Sequence, residues 1–404
     1  MPKRRAKNLK NLKRLKNRCI LLGVSGGVAA YKSVELARRL TDEEASVFVV
    51  MTEAAKQFAT PLSFETASHN RVYSSLFDEP MAHISLPAKA DCMVVAPATA
   101  NTIAKFAHGL ADDLLSTCFL SFRGNVIVAP SMNWKMYDNP VVRRNLDALA
   151  SAGVAQVGPG SGALACGEEG VGRMAEPAEI VEAVRAALSE KNLSGERVVI
   201  TAGPTREYLD PVRFISNRSS GKMGYALART ARDRGAEVTL ISGPSFLGKP
   251  AGVAYIGVET TSEMLGAVTE AVAKGATVLV MAAAVADFSP VRESRLKIEK
   301  GRGLTLKLSP TKDIVTSVSS SRKRPFIIGF AAETGSRADR AAKKMKEKKM
   351  DMIVFNDVTE PGAGFDVDTN KVEIIDRRGR IHTGLMSKDD VADAIFDRFL
   401  EIKA

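Results

Sequence analysis

Two glycine-rich stretches hold the clearest capacity for chemistry in this sequence: GVSGGVAAYK from Gly23 to Lys32, and TAGPTREYLDPVRFISNRSSGKMG from Thr201 to Gly224. Each follows a short β-branched run, Ile20–Val24 or Val198–Thr201, and precedes a helical pattern. Glycine therefore stands where the backbone turns sharply and comes close to a ligand. Unbonded N–H groups at a helix start favour a phosphate there. Two such loops predict two nucleotide-type sites and two reactions. Neither fits the commonest motifs. The run from Gly23 lacks the G-x-G-x-x-G order of dinucleotide folds, and the one ending at Gly224 lacks the Ser or Thr that a P-loop carries after its lysine. A nicotinamide dehydrogenase and a P-loop NTPase are both disfavoured.

The elements that must carry these loops follow from alternation. In the first half, Ile20–Val24, Val47–Met51, Met93–Ala96 and Val126–Ala129 are separated by helical stretches such as Tyr31–Leu40 and Val141–Ala150. In the second half, Val198–Thr201, Val238–Ile241, Val278–Met281, Phe326–Phe330 and Met352–Phe355 repeat the logic, and Val372–Asp376 with Arg380–Thr383 forms a hairpin. Continuous apolar runs flanked by helices imply parallel sheets covered on both faces. The expected class is α/β, with two doubly wound, Rossmann-like domains. At 404 residues the chain exceeds one typical core. The expected division is a basic extension over 1–18, a first domain over 19–190 and a second over 191–404, with the polar stretch Ser189–Glu196 as linker. Ligands of doubly wound folds sit outside the carboxyl ends of the strands. That gathers Gly23, Ser25, Gly26, Thr52, Thr99, Asn101 and Asn133 around one site: hydroxyls, amides and bare backbone suited to a phosphate and an uncharged polar ring edge.

A net charge of +11 suggests nucleic acid until it is located: residues 1–18 hold nine Lys or Arg and no acid, leaving 48 basic against 46 acidic residues elsewhere. The body is nearly neutral, so no specific nucleic-acid partner is expected, and the tail reads as a solvated extension. A flavin- or RNA-binding module steered by that tail is the competing reading, and it predicts steep salt dependence. No run of about 18 apolar residues exists, which argues against a membrane span. Cys19, Cys92, Cys118 and Cys166 show neither C-x-x-C spacing nor clustering with the four histidines, so zinc and a disulfide framework are disfavoured and a reducing cytoplasm is the expected compartment. The first three lie in apolar stretches and read as small core residues. Cys166 lies among glycines instead.

The string APATANTIAKFAHGLADDLLST, the Pro130–Asn133 motif and His83 in AHISLPAKAD resemble the homo-oligomeric, flavin-containing cysteine decarboxylases. The glycine-rich segment Gly158–Met174 narrows the likeness to phosphopantothenoylcysteine decarboxylases. The resemblance implies a flavodoxin-like flavoprotein domain with FMN between subunits, contacted by Gly23, Ser25, Gly26, Thr52, Thr99 and Asn101. The chemistry needs such parts, because a carboxylate leaves as CO2 only if its electrons have a sink. Oxidising the substrate thiol to a thioaldehyde creates one, and reduced flavin with a proton then converts the resulting enethiolate to the saturated thiol. By the same likeness His83 is the base-type catalytic residue, Asn133 the amide holding the substrate carboxylate and Cys166 the proton donor. Taken singly, each has a plainer reading: a lone histidine such as His69, His108 or His382 is ordinarily structural or exposed, and Asn133 suits the cap of a turn.

Asn217–Gly224, Ala282–Asp287, Lys297–Lys300, Gly329–Thr334 and Asn356-Asp357 are similar to phosphopantothenate–cysteine ligases. Fusion of the halves in this order resembles the bifunctional coenzyme A biosynthesis proteins. The resemblance implies a CTP-dependent nucleotide-binding ligase domain that activates the carboxylate of 4′-phosphopantothenate as an acyl cytidylate, which L-cysteine then attacks. Asn217 would hold the acyl carbonyl as charge develops and Lys297 the triphosphate or transition-state charge. Asp287 would read the cytosine amine. Met281, Ala282, Ala283, Thr311, Lys312, Asp313, Ile314, Phe330, Lys344 and Lys348 would complete the CTP contacts. Lys344 and Lys348 fall four apart on one helical face, although most lysines in the run Lys343–Lys349 face water. Mg²⁺ is expected with CTP, held mainly by phosphates, with no protein ligand assigned. The family builds a dodecamer of trimers joined by ligase dimers. The expected activity is thus ligation followed by decarboxylation to 4′-phosphopantetheine, the alternative being that only one of the two activities is retained.

Overall fold

The computed structural model describes residues 15–163, 167–300, 304–321, 324–335, 338–364 and 366–403. The chain forms two units, Lys13–Ser189 and Glu190–Ala404. In the first, six parallel strands lie in the order Val72–Tyr73, Ser46–Met51, Cys19–Val24, Cys92–Ala98, Asn125–Pro130, Ala155–Gln156. Alternation explains how this sheet is covered twice. Ile20, Leu22 and Val24 enter one core while Leu21 enters another, and Cys92, Val94 and Ala96 oppose Met93 and Val95 in the same way. All nine are fully buried, so burial on both faces rather than one produces the unbroken apolar runs. The winding direction reverses between Cys19–Val24 and Cys92–Ala98, opening a crevice at their carboxyl ends.

Local chemistry sets where the helices beside that crevice begin. The Thr99 hydroxyl accepts the Thr102 N–H at 3.4 Å, starting helix Ala100–His108, which stops at Gly109 with φ +68°. Asp113 and Ser116 form a reciprocal capping box at the start of helix Leu114–Ser121. Cys92 and Cys118 are buried, and burial pushes both thiols up to about 12, so they pack and do not react. Cys19 is only partly buried, its thiol raised to about 11.

The second unit has an eight-stranded sheet in the order Ala254–Gly257, Glu237–Ser242, Arg197–Ala202, Val278–Met281, Phe326–Glu333, Met352–Asp357, Val372–Asp376, Gly379–His382. The first six are parallel and the last two antiparallel. Again Val198 and Ile200 face one core and Val199 the other. Two close approaches fix the loops at the carboxyl ends. A Cβ on Gly243 would stand 1.8 Å from the Pro204 carbonyl oxygen, and one on Gly224 would stand 2.5 Å from Ala202 Cβ. No described helix is long and apolar enough to cross a membrane.

Asp210 anchors a third loop. Its buried carboxylate accepts the N–H groups of Val212 and Arg213 at 2.8 Å and of Ile298 at 3.1 Å, beside an ion pair to Arg213 at 3.2 Å. Burial alone would raise Asp210, but these N–H donors and Arg213 outweigh it and hold the carboxyl below its ordinary value. A depressed carboxyl contributes stability that is complete above its unfolded value, about 3.9, and is lost as pH falls through the folded value. Wild type should therefore lose more of its thermal midpoint than Asp210→Asn between pH 7 and pH 3. Parallel melting curves would contradict this.

Candidate functional sites

A cavity of about 990 Å³ occupies the first unit's crevice, lined among others by Gly26, Gly27, Lys32, Thr52, Thr99, Asn101, Lys105, Met132, Asn133 and Arg173. Its floor is the start of helix Ala30–Asp42, where no side chain caps the end. Among the described residues the N–H groups of Gly26, Gly27, Val28 and Ala29 donate to nothing, a ready anion site. A Cβ on Gly26 would meet Ala54 Cβ at 2.4 Å, so only glycine lets this loop lie so close to the loop after the second strand. Ser25 works from beneath: fully buried, its hydroxyl donates to the Pro97 carbonyl at 2.7 Å and accepts the Thr99 N–H at 3.1 Å, binding the first loop to the one bearing Thr99 and Asn101. Gly23 is deeper still, with Leu115 packed where its side chain would be, 2.4 Å away. Of the six residues expected at a flavin, Gly26, Thr52, Thr99 and Asn101 line the cavity, whereas Gly23 and Ser25 shape it from outside.

Asn133 both caps and lines: its Oδ1 accepts the Lys135 N–H at 2.8 Å, and the residue borders the cavity. His83 does not line this cavity. It sits near the start of helix Ala82–Lys89, its carbonyl accepting from Ser121 at 2.5 Å. Cys166 lies outside the described residues. Sequence reasoning left Lys32 and Lys105 unassigned. Lys32 pairs with Glu176 at 2.6 Å, and Lys105 pairs with Asp112 and Asp113 at 2.8 Å each.

A second cavity, about 540 Å³, lies at the carboxyl ends of the second sheet. Asn217, Met281, Ala282, Ala283, Asp287, Thr311, Lys312, Asp313, Ile314, Phe330, Lys344 and Lys348 all line it, and Lys297 does not. Lys297 is exposed, one residue before the Ile298 that Asp210 and Arg213 anchor. The Asn217 amide donates to the Val285 carbonyl at 2.9 Å and the Ala284 carbonyl at 3.5 Å, joining the glycine-rich loop to the loop after Met281. Helix Lys222–Asp233 starts without a side-chain cap at Gly221, φ +81°, so its first N–H groups also face an open end. Thr311 is tied down by its hydroxyl on the Ala286 carbonyl at 2.7 Å. Asp313 caps helix Ile314–Ser319 through the Thr316 N–H at 2.8 Å and pairs with Lys348. Burial would raise Asp313, but Lys348 and that N–H hold it below the ordinary carboxylate value. Burial, then the charge of Lys348, pushes Lys344 down.

Lys222 and Lys388 also border this cavity; Lys222 is the lysine of the glycine-rich loop, whereas Lys388 has no sequence signal beyond charge. Lys388 is 5% exposed, and burial pushes it down to about 8. Lys222 pairs with Asp368 at 2.7 Å. Among the described residues no cluster of three or more His, Cys, Asp or Glu could hold a metal.

Two glycine-loop α/β units, each with an anion-ready cavity at its strand ends, define a two-site protein of the doubly wound flavoprotein and nucleotide-binding class. The flavoprotein family model matches residues 8–189, and that of the DNA/pantothenate metabolism flavoprotein C-terminal domain matches residues 193–402. Relatives called coenzyme A biosynthesis bifunctional protein CoaBC include one from Vibrio cholerae serotype O1, 46% identical over 93% of this chain and 96% of that protein. Another, from Bacillus subtilis, is 44% identical over 96% of this chain and 98% of that protein. The Escherichia coli K12 protein is 44% identical over 94% and 96%. Among solved structures, the C-terminal domain of a CoaBC protein aligns at 38% identity over 52% of this chain and 97% of that chain, TM-score 0.45. The chain belongs to the CoaBC family of bifunctional coenzyme A biosynthesis proteins, and with both units present it is a decarboxylase and a ligase.

Proposed function

We propose that the first cavity seats FMN and the cysteinyl carboxylate of 4′-phosphopantothenoylcysteine, and that the second seats CTP with 4′-phosphopantothenate. One observation carries this reading: each cavity pairs an uncapped helix start with polar side chains chosen for ligand contact on sequence grounds. FMN, when bound, would accept two electrons from the substrate thiol and return them after CO2 has left. The residues of the chain hold and orient. The N–H groups of Gly26, Gly27, Val28 and Ala29 receive the phosphate, with Lys32 and Lys105, each paired to carboxylates, at the cavity wall. Asn133 offers its amide nitrogen to the carboxylate, since capping occupies its oxygen. His83 moves the proton at its imidazole and Cys166 delivers one to the product carbon.

In the second site Lys344 and Lys348 face the triphosphate, Asp287 takes the cytosine amine, and the Asn217 amide faces the acyl carbonyl during attack by L-cysteine. Lys297 acts from the Asp210-anchored loop, outside the cavity lining. Mg²⁺ would be held mainly by the nucleotide, with no protein ligand assigned. The working enzyme is a homo-oligomer, a dodecamer of trimers, in which His83 serves a flavin shared between subunits.

Gly26→Ala tests the first site. The added methyl must displace the Ala54 backbone, 2.9 Å away, at about 1–3 kcal/mol. Bound flavin should fall about tenfold or more. CO2 release should fall with it and CTP-dependent ligation persist. Undiminished yellow colour in the variant would remove the glycine loop from the cofactor site.

A further inference from the structure

One carboxylate ties the glycine-rich segment after residue 166 to the loop that carries Asn133. Glu168 Oε2 accepts from the Trp134 indole N–H at 2.8 Å and from the Asn133 amide at 3.4 Å, and Oε1 accepts from Lys135 Nζ at 2.7 Å. Three consecutive side chains thus converge on a residue 33 to 35 positions later. Missing side chains permit the approach. A Cβ on Gly170 would stand 2.8 Å from Trp134 Cβ, and one on Gly172 would stand 2.1 Å from the Met132 carbonyl oxygen. The Met132 N–H donates to the Gly172 carbonyl at 3.0 Å. Strand Glu169–Arg173 therefore lies flush on Met132–Trp134, and Glu168 enters at its start.

From the other side, the Lys135 N–H claims Asn133 Oδ1 at 2.8 Å. With the oxygen fixed, the nitrogen of that amide is the atom turned toward Glu168. Lys135 first, then the Trp134 and Asn133 donors, hold Glu168 below the usual carboxylate range, so it is ionised at neutral pH. An exposed ion pair by itself contributes little to stability. What distinguishes this one is its reach into the hydrogen bonding of a cavity-lining amide.

We propose that Glu168 is a positioning residue for decarboxylation: its carboxylate sets the direction in which the Asn133 amide nitrogen meets the carboxylate of the substrate. The inference rests on the reading of Asn133 as the carboxylate binder. Glu168 itself does not line the cavity and acts only through its neighbour. Without an acceptor at 168 the amide keeps its cap through Oδ1 but loses this partner of its nitrogen, so the direction of its N–H groups is less well fixed before the substrate binds.

The test is CO2 release from phosphopantothenoylcysteine by the flavin-loaded full chain. Glu168→Ala should raise KM about tenfold, the loss of a little over one hydrogen bond, with a smaller fall in kcat. Glu168→Gln, which keeps an oxygen acceptor, should recover most of that KM. Flavin content and ligation rate should match wild type in both. Asn133→Ala is measured alongside. If Asn133→Ala leaves KM unchanged, the reading of Asn133 fails and takes the inference with it. If Asn133→Ala raises KM and Glu168→Ala does not, only the inference is overturned. An equal loss of flavin and kcat in both Glu168 variants means a purely structural latch and overturns it as well.

Discussion

Changing His83 to Asn is expected to lower CO2 release by at least about 100-fold while CTP-dependent pyrophosphate release continues at the wild-type rate. The imidazole Nδ1 is buried and, among the described residues, has no hydrogen-bond partner. An orphaned buried nitrogen costs about 1–3 kcal/mol. A histidine serving only the fold would carry a partner within its own unit. This one is held through its main chain, by the Ser121 hydroxyl on its carbonyl, so among the described residues its ring nitrogen is not committed to the fold. Asparagine has similar size and polarity but exchanges no proton near neutrality, so the variant separates chemistry from packing. Coupled enzyme assays on one preparation read both activities. CO2 release at the wild-type rate would exclude His83 from the reaction.

The complementary loss is expected from Asn217→Asp, which should reduce cysteine-dependent ligation about 100- to 1,000-fold, the range for removal of one donor that faces developing negative charge. The geometry makes the exchange severe. Among the described residues Asn217 reaches its neighbours as a donor, through Nδ2 to the Val285 and Ala284 carbonyls. A carboxylate has no proton for either and would set negative charge against both oxygens, prising the glycine-rich loop from the loop after Met281. Decarboxylation of supplied phosphopantothenoylcysteine should be unaffected. Retention of ligation by this variant would mean that Asn217 only joins loops.

Much of this architecture is legible in the residues. Strand runs such as Ile20–Val24 and Val278–Met281 are apolar without interruption because helices cover both sheet faces, and that pattern announces parallel strands. The loops that follow them open on the strand ends, which is why nearly every residue the sequence suggests for a nucleotide borders one cavity. Three-residue pairs escape such reading. Arg206–Tyr208 with Phe214–Ser216, and Phe288–Pro290 with Leu308–Pro310, are too short for alternation and exist because distant backbone pairs with them. Glycines mislead in their own way: Gly23 reads as a ligand contact, yet its bareness makes room for Leu115. Lysines mislead in the other direction. Lys388 looks like one more charge at a helix start, and only the folded chain shows it buried. Lys297 carries family likeness alone: exposed and outside the cavity lining, it has no physical signal in its surroundings.

The cap at Asn133 has a consequence for how this active site can change. The turn asks position 133 for an oxygen, which an acid would supply as well as an amide, but Glu168 asks the same residue for a donor. An aspartate there would keep the cap and meet the Glu168 carboxylate with no proton to share. A change of charge at this position therefore registers in the stability of the first unit as well as in its chemistry.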